Sequence, residues 1–196
     1  MTSRRAHPRP RAARAVMIAV ALGGLLLDRA TKAWALHALS AHDHQIVQGW
    51  LSLHLVYNSG AAFSMGTSFT VALSCISIAA LVLVLVWVLP RARGWLDSLA
   101  TGLIAAGIAG NLIDRLVREP GPLRGTVVDF IAVRYFAVFN VADVCITCAA
   151  VLFVCWAVRS DRAVEHAADA EGAPAAVDAP AAGSGAEVDG GAGERA

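Results

Sequence analysis

The chain has 196 residues, 57% hydrophobic and 16% charged, with a mean hydropathy of +0.60. That balance excludes an ordinary soluble domain and points to a membrane protein. The net charge is +1, and the one basic cluster, Arg4, Arg5, Arg9, Arg11 and Arg14, flanks an apolar segment. Membrane orientation accounts for such a cluster, so no nucleic-acid partner is expected.

Residues 1–14 are rich in Arg and Pro and are expected to be disordered and cytoplasmic. An apolar run then extends from Ala15 to about Leu39, interrupted by Asp28, Arg29 and Lys32. A secretory signal peptide is the rival reading, with Val16 to Leu27 as its core. An uncleaved span is preferred, because Ala30 to Leu39 extends the helix. Asp28 then lies about 18 Å along the axis from Val16, past the midplane. In the next segment Leu51, Leu53, Leu55 and Tyr57 alternate with Ser52, His54, Val56 and Asn58. This period of two predicts a short strand with one apolar face. Asn58 to Phe63 reads as a turn, where Gly60 permits close backbone approach.

Phe69 to Leu89 carries no charge. Its length of about 31 Å matches the hydrocarbon core. Pro90 should stop it, and Arg91 and Arg93 mark a short turn. A third span is expected over Trp95 to Ile113, with Gly102, Ala106 and Gly110 forming a small-residue packing face. Asn111, Asp114 and Arg115 lie at its end, followed by a Pro- and Gly-rich loop over 118–126. A fourth span runs from about Asn140 to Val158 and ends at Arg159 and Arg162. The expected fold is therefore an all-α membrane protein of four transmembrane helices with a small β element at the outer surface. Both termini are cytoplasmic. The membrane domain covers 15–162, and 163–196, rich in Ala, Gly and acids, is a disordered tail.

Asp129 and Asp143 bracket the segment before the fourth span, in apolar surroundings. A carboxylate at membrane depth costs about 2.5–3.5 kcal/mol, so such acids are usually paired, hydrated or functional. The four cysteines, Cys75, Cys145, Cys148 and Cys155, all lie in apolar runs, so neither a disulfide framework nor a redox pair is expected. No His, Cys and Asp set has the spacing of a metal site, and no cofactor is expected. On the four-span topology Asp28, Asn58, Asn111, Asp114, Arg115, Asp129, Asn140 and Asp143 converge on the outer half of the membrane. Such a cluster suits an aspartic peptidase, an ion or proton relay, or a packing network. Aspartic catalysis needs two carboxyls that share one proton, one as base and the other as acid.

Five stretches carry a resemblance to a known family. They are Asp28-Arg29-Ala30-Thr31-Lys32, Asn58-Ser59-Gly60-Ala61-Ala62-Phe63, Gly110-Asn111-Leu112-Ile113-Asp114-Arg115, Val127-Val128-Asp129-Phe130 and Phe139-Asn140-Val141-Ala142-Asp143. In that order, on a four-span plan, the sequence resembles the lipoprotein signal peptidases, or signal peptidase II. It departs from them at Arg29, where the family usually has Gln. The resemblance implies a membrane aspartic endopeptidase that removes the signal peptide from diacylglyceryl-modified prolipoproteins. The cut falls before the lipidated cysteine. Asp129 and Asp143 correspond to the catalytic pair. Asn58, Gly60, Asn111, Arg115 and Asn140 fall in motifs that line the substrate site. Asp28, Lys32 and Asp114 are left structural polar roles. The implied partners are the lipidated substrates and membrane lipid. A monomer in the bacterial inner membrane is expected, with its active site toward the outer face. The alternative is a small ion or proton carrier using the aspartates as a relay.

Overall fold

The structure, a computed structural model, describes residues 10–60, 66–92 and 94–171. Ala61, Ala62 and Phe63 of the turn motif, residues 1–9 and the tail from 172 onward lie outside the described residues. Residues up to Ser160 form one unit, which holds every side chain discussed below. Asp161 begins a second unit, whose described part, to Glu171, is helical.

Helix α1 spans Pro10–Ala38, so it begins before the apolar run and takes in Arg11 and Arg14. Its buried positions are Ala13, Met17, Asp28, Lys32, Ala35 and Leu39 just beyond its end, one face at helical spacing. Ile18, Leu22 and Leu26 are exposed instead. The acid and the lysine point inward and the leucines outward, the reverse of a soluble helix.

A three-stranded antiparallel sheet follows, in the order β1 (His44–Val47), β2 (Leu51–Asn58), β3 (Val127–Val133). The alternation in 51–58 locates β2, but its apolar face is not continuous. The register with β3 shifts between Leu53 and Val56. Leu53 and Leu55 pack toward the core of Ala35, Leu39, Val128 and Phe130, while Tyr57 is exposed. A bulge of this kind breaks the period of two. β1 and β3 lie outside the one strand that the alternation predicts. β3 is buried on both faces from Val127 to Phe130, so it shows no alternation to read.

Among the described residues, three helices are long and apolar enough to cross a membrane: Phe69–Arg91, Trp95–Val117 and Val141–Val158. The first comprises α2 (Gly66–Leu83), a π turn over Val84–Val88 and a 3-10 turn over Leu89–Arg91. Pro90 thus distorts the end of the helix before stopping it. Its ring crowds the carbonyl four residues back, and the wider π turn makes room. Helix α3 is Trp95–Val117 and α4 is Val141–Glu171. The small-residue face of α3 lies against α1. A Cβ on Gly102 would sit 2.7 Å from the Met17 carbonyl oxygen. One on Gly24 of α1 would sit 2.8 Å from the Ala106 Cβ. A second small residue, Gly107, faces α4, where a Cβ would strike the Ala142 carbonyl oxygen. The four cysteines are free thiols, but only Cys145 is buried, and the other three face outward.

Candidate active site

The fold brings the polar motif residues together where α1, α3, the start of α4 and the β2–β3 pair meet. Each arrives by a local rule. Asn58 pairs with Val127 across the sheet, so Asp129, two residues on, is its diagonal neighbour on the same face. Asn58 Nδ2 donates to Asp129 Oδ2 at 2.8 Å. The Asn58 amide is held in that sense by the Gly60 N–H, which donates to its Oδ1 at 2.7 Å. Gly60 has φ of +81, and a Cβ there would strike Leu73 Cδ1. The close approach that Gly60 permits is therefore to α2.

Asn140 caps α4. Its Oδ1 accepts the Asp143 N–H at 3.1 Å, and Asp143 Oδ2 accepts the Asn140 N–H at 3.1 Å. This reciprocal pair is a capping box. With its oxygen so occupied, the Asn140 amide must turn its nitrogen inward. Nδ2 donates to Asp129 Oδ1 at 2.6 Å and to Asn111 Oδ1 at 3.1 Å. Asn111 Nδ2 in turn donates to Asp143 Oδ1 at 2.7 Å. Two carboxyls from different elements are thus joined through two amides. Asp143 is half-buried and the more accessible; Asp129 is 2% exposed.

The other two motif acids belong to an adjoining charge cluster centred on Lys32. Lys32 Nζ lies 3.0 Å from Asp28 Oδ2, four residues before it, and 2.9 Å from Asp114 Oδ2. Asp114 Oδ1 also takes Arg29 at 2.7 Å and Arg118 at 2.8 Å. Asp28 Oδ1 accepts the Ala142 N–H at 3.0 Å, tying α1 to the first turn of α4. The sequence suggested Arg115 as the partner of Asp114. Adjacent helical residues face different ways, and the cations three or four residues away, or on α1, pair with it instead. Arg29 and Arg118 are the participants that sequence reasoning missed. The spacing of Asp114 and Arg118 was the available signal for one of them. Arg115 is attracted chiefly by Asp143, then Asp129, then Asp114, and its Nε is buried without a hydrogen-bond partner.

Among the described residues, Asp129 and Asp143 form no ion pair, whereas Asp28 and Asp114 are both neutralised. Burial first, and then the charge of Asp143, push the Asp129 carboxyl up to about 6, against the pull of its two amide donors and Lys32.

This fold and site define a helical membrane protein whose polar centre is a pair of amide-linked carboxyls, a layout suited to acid–base hydrolysis. The sequence signature of "Signal peptidase (SPase) II" matches residues 20–159. A lipoprotein signal peptidase of Streptomyces coelicolor is 40% identical over 146 residues, 74% of this chain and 71% of its own length. One of Mycobacterium tuberculosis is 41% identical over 140 residues, 71% of this chain and 69% of its own. A solved bacterial membrane enzyme, determined in meso at 1.9 Å resolution, superposes with a TM-score of 0.63 at 25% identity. That match covers 71% of this chain and 90% of the other. The chain belongs to the signal peptidase II family and is a membrane peptidase. The comparisons lend no support to an ion carrier.

Proposed function

We propose that this protein removes signal peptides from lipid-modified prolipoproteins by aspartic catalysis, with Asp129 and Asp143 as the pair. One observation carries the reading. Of the four acids in the five motifs, only these two are held by amides and form no ion pair among the described residues, and two bridging amides connect them. Asp143, the more accessible of the two, at the N-terminus of α4 with two N–H donors, is placed to take a proton from water. Asp129, with its raised pKa, holds the shared proton and gives it to the scissile carbonyl oxygen. Collapse of the tetrahedral adduct then breaks the C–N bond: the proton taken by Asp143 passes to the leaving amine, and a hydroxyl of the adduct returns its proton to Asp129 as the carbonyl re-forms. Arg115, with a free Nε–H beside both acids, is placed to bind substrate backbone.

The family's four-span plan follows if α1 also crosses. Its 29 residues reach about 43 Å. Asp28, Arg29 and Lys32 keep it from reading as a span by composition, but they are paired within the bundle, which lowers their cost. The basic residues Arg11, Arg14 and Arg91 then share the cytoplasmic side, and the site faces outward. On this reading the protein works in the bacterial inner membrane, as a monomer.

Single-turnover cleavage of a diacylglyceryl-modified peptide tests the assignment. Asp129→Asn and Asp143→Asn should each lower turnover by about 10⁴-fold or more while binding persists. Appreciable turnover by either variant would remove that residue from the pair.

A further inference from the structure

We propose that Lys32 is a positioning residue for the reaction: it locks the Asn111 amide so that Nδ2 faces Asp143. The inference rests on Asp129 and Asp143 being the catalytic pair. Lys32 is 0% exposed, among the largest fully buried side chains. Its ammonium donates to Asn111 Oδ1 at 3.0 Å as well as pairing with Asp28 and Asp114.

A primary amide can sit in two orientations, and its neighbours decide between them. The oxygen end of Asn111 faces Lys32 Nζ at 3.0 Å and Asn140 Nδ2 at 3.1 Å. Both are obligate donors there. Asn140 cannot turn its own amide round, because its oxygen is committed to the Asp143 N–H. A flipped Asn111 would therefore set its NH₂ against an ammonium and a second NH₂. The orientation that remains aims Nδ2 at Asp143 Oδ1, 2.7 Å away. The lysine thus acts on the carboxyl through one intervening side chain. A purely structural lysine would need only the two acids. The contact with Asn111 is the additional feature.

Lys32→Met alone leaves Asp28 and Asp114 short of a cation and is expected to fold poorly. The informative variant is the charge-balanced pair Asp28→Asn with Lys32→Met. Asn at 28 keeps the Oδ1 acceptor for the Ala142 N–H, and Asp114 keeps Arg29 and Arg118. The groups around the dyad whose charge then matters are Asp143, Asp114, Arg115, Arg29 and Arg118. The double variant should bind lipidated peptide with KM within a few-fold of the parent and show kcat lower by about 100-fold, the scale of a misplaced catalytic group. The positive charge of Lys32 favours ionised Asp129, so its loss should also move the alkaline limb of the pH profile upward. That shift follows from the lost charge itself; the fall in kcat at a near-parental KM is the result a structural role alone would not produce. Parental kcat and an unmoved limb, with Asp129→Asn inactive beside it, would overturn the role of Lys32 and leave the pair intact. An active Asp129→Asn would instead overturn the pair and this inference with it.

Discussion

Asn140 combines two tasks that substitution can separate. Its oxygen caps α4, and its nitrogen bridges Asp129 and Asn111. Asn140→Ala removes both. The cap contributes about 1 kcal/mol. The two hydrogen bonds that Nδ2 donates contribute about 0.5–1.5 kcal/mol each. The alanine variant should therefore lose roughly 3 kcal/mol of stability. Asn140→Ser keeps an oxygen suited to the cap and lacks the amide, so it should be about 1 kcal/mol more stable than the alanine variant. The rates should not follow that order. Both variants lose the bridge, so both should cleave about 100-fold more slowly. Both also lose a donor that favours ionised Asp129, so the alkaline limb of activity should rise in each. Thermal unfolding in detergent gives the stabilities, and single-turnover cleavage of a lipidated peptide across pH gives the rates. If serine restored turnover together with stability, Asn140 would be a cap and nothing more, and the bridged-pair argument would fail.

In the parent enzyme, kcat/KM should fall as pH rises through about 6. The Asp129 carboxyl is lifted there from an ordinary value of 3.8, chiefly by burial, so the shared proton is present below that pH and lost above it. A rate that instead rose through this range would reverse the roles of the two acids. Gly107→Ala should destabilise the bundle by about 1–3 kcal/mol, because a methyl group there meets the Ala142 backbone oxygen and Ile146. Gly23→Ala, on the open face of α1 with nothing within 4 Å, should be neutral or slightly stabilising. Equal unfolding temperatures for these two variants would contradict the α3–α4 packing.

Much of the plan is set by local features that a sequence displays. Phe69 to Leu89 is uncharged and long enough to span, and the structure places a continuous helical segment there. Asp28 and Lys32 are four apart, so their pairing is a property of one helix. Asn140 and Asp143 are three apart before an apolar run, the spacing of a capping box. The five motifs also sufficed to indicate the family. Other features depended on partners far away in the chain. Val127 to Val133 is a strand whose buried stretch shows no alternation, and only its pairing with β2 sets Asp129 diagonal to Asn58. Asp114 draws Arg29 from 85 residues away, while Arg115, its neighbour in sequence, forms no ion pair with it. Which acids are neutralised and which are left to amides is therefore a tertiary result. Charge and hydrogen-bond geometry act through a few ångströms of space, and the order of residues along the chain does not encode those distances.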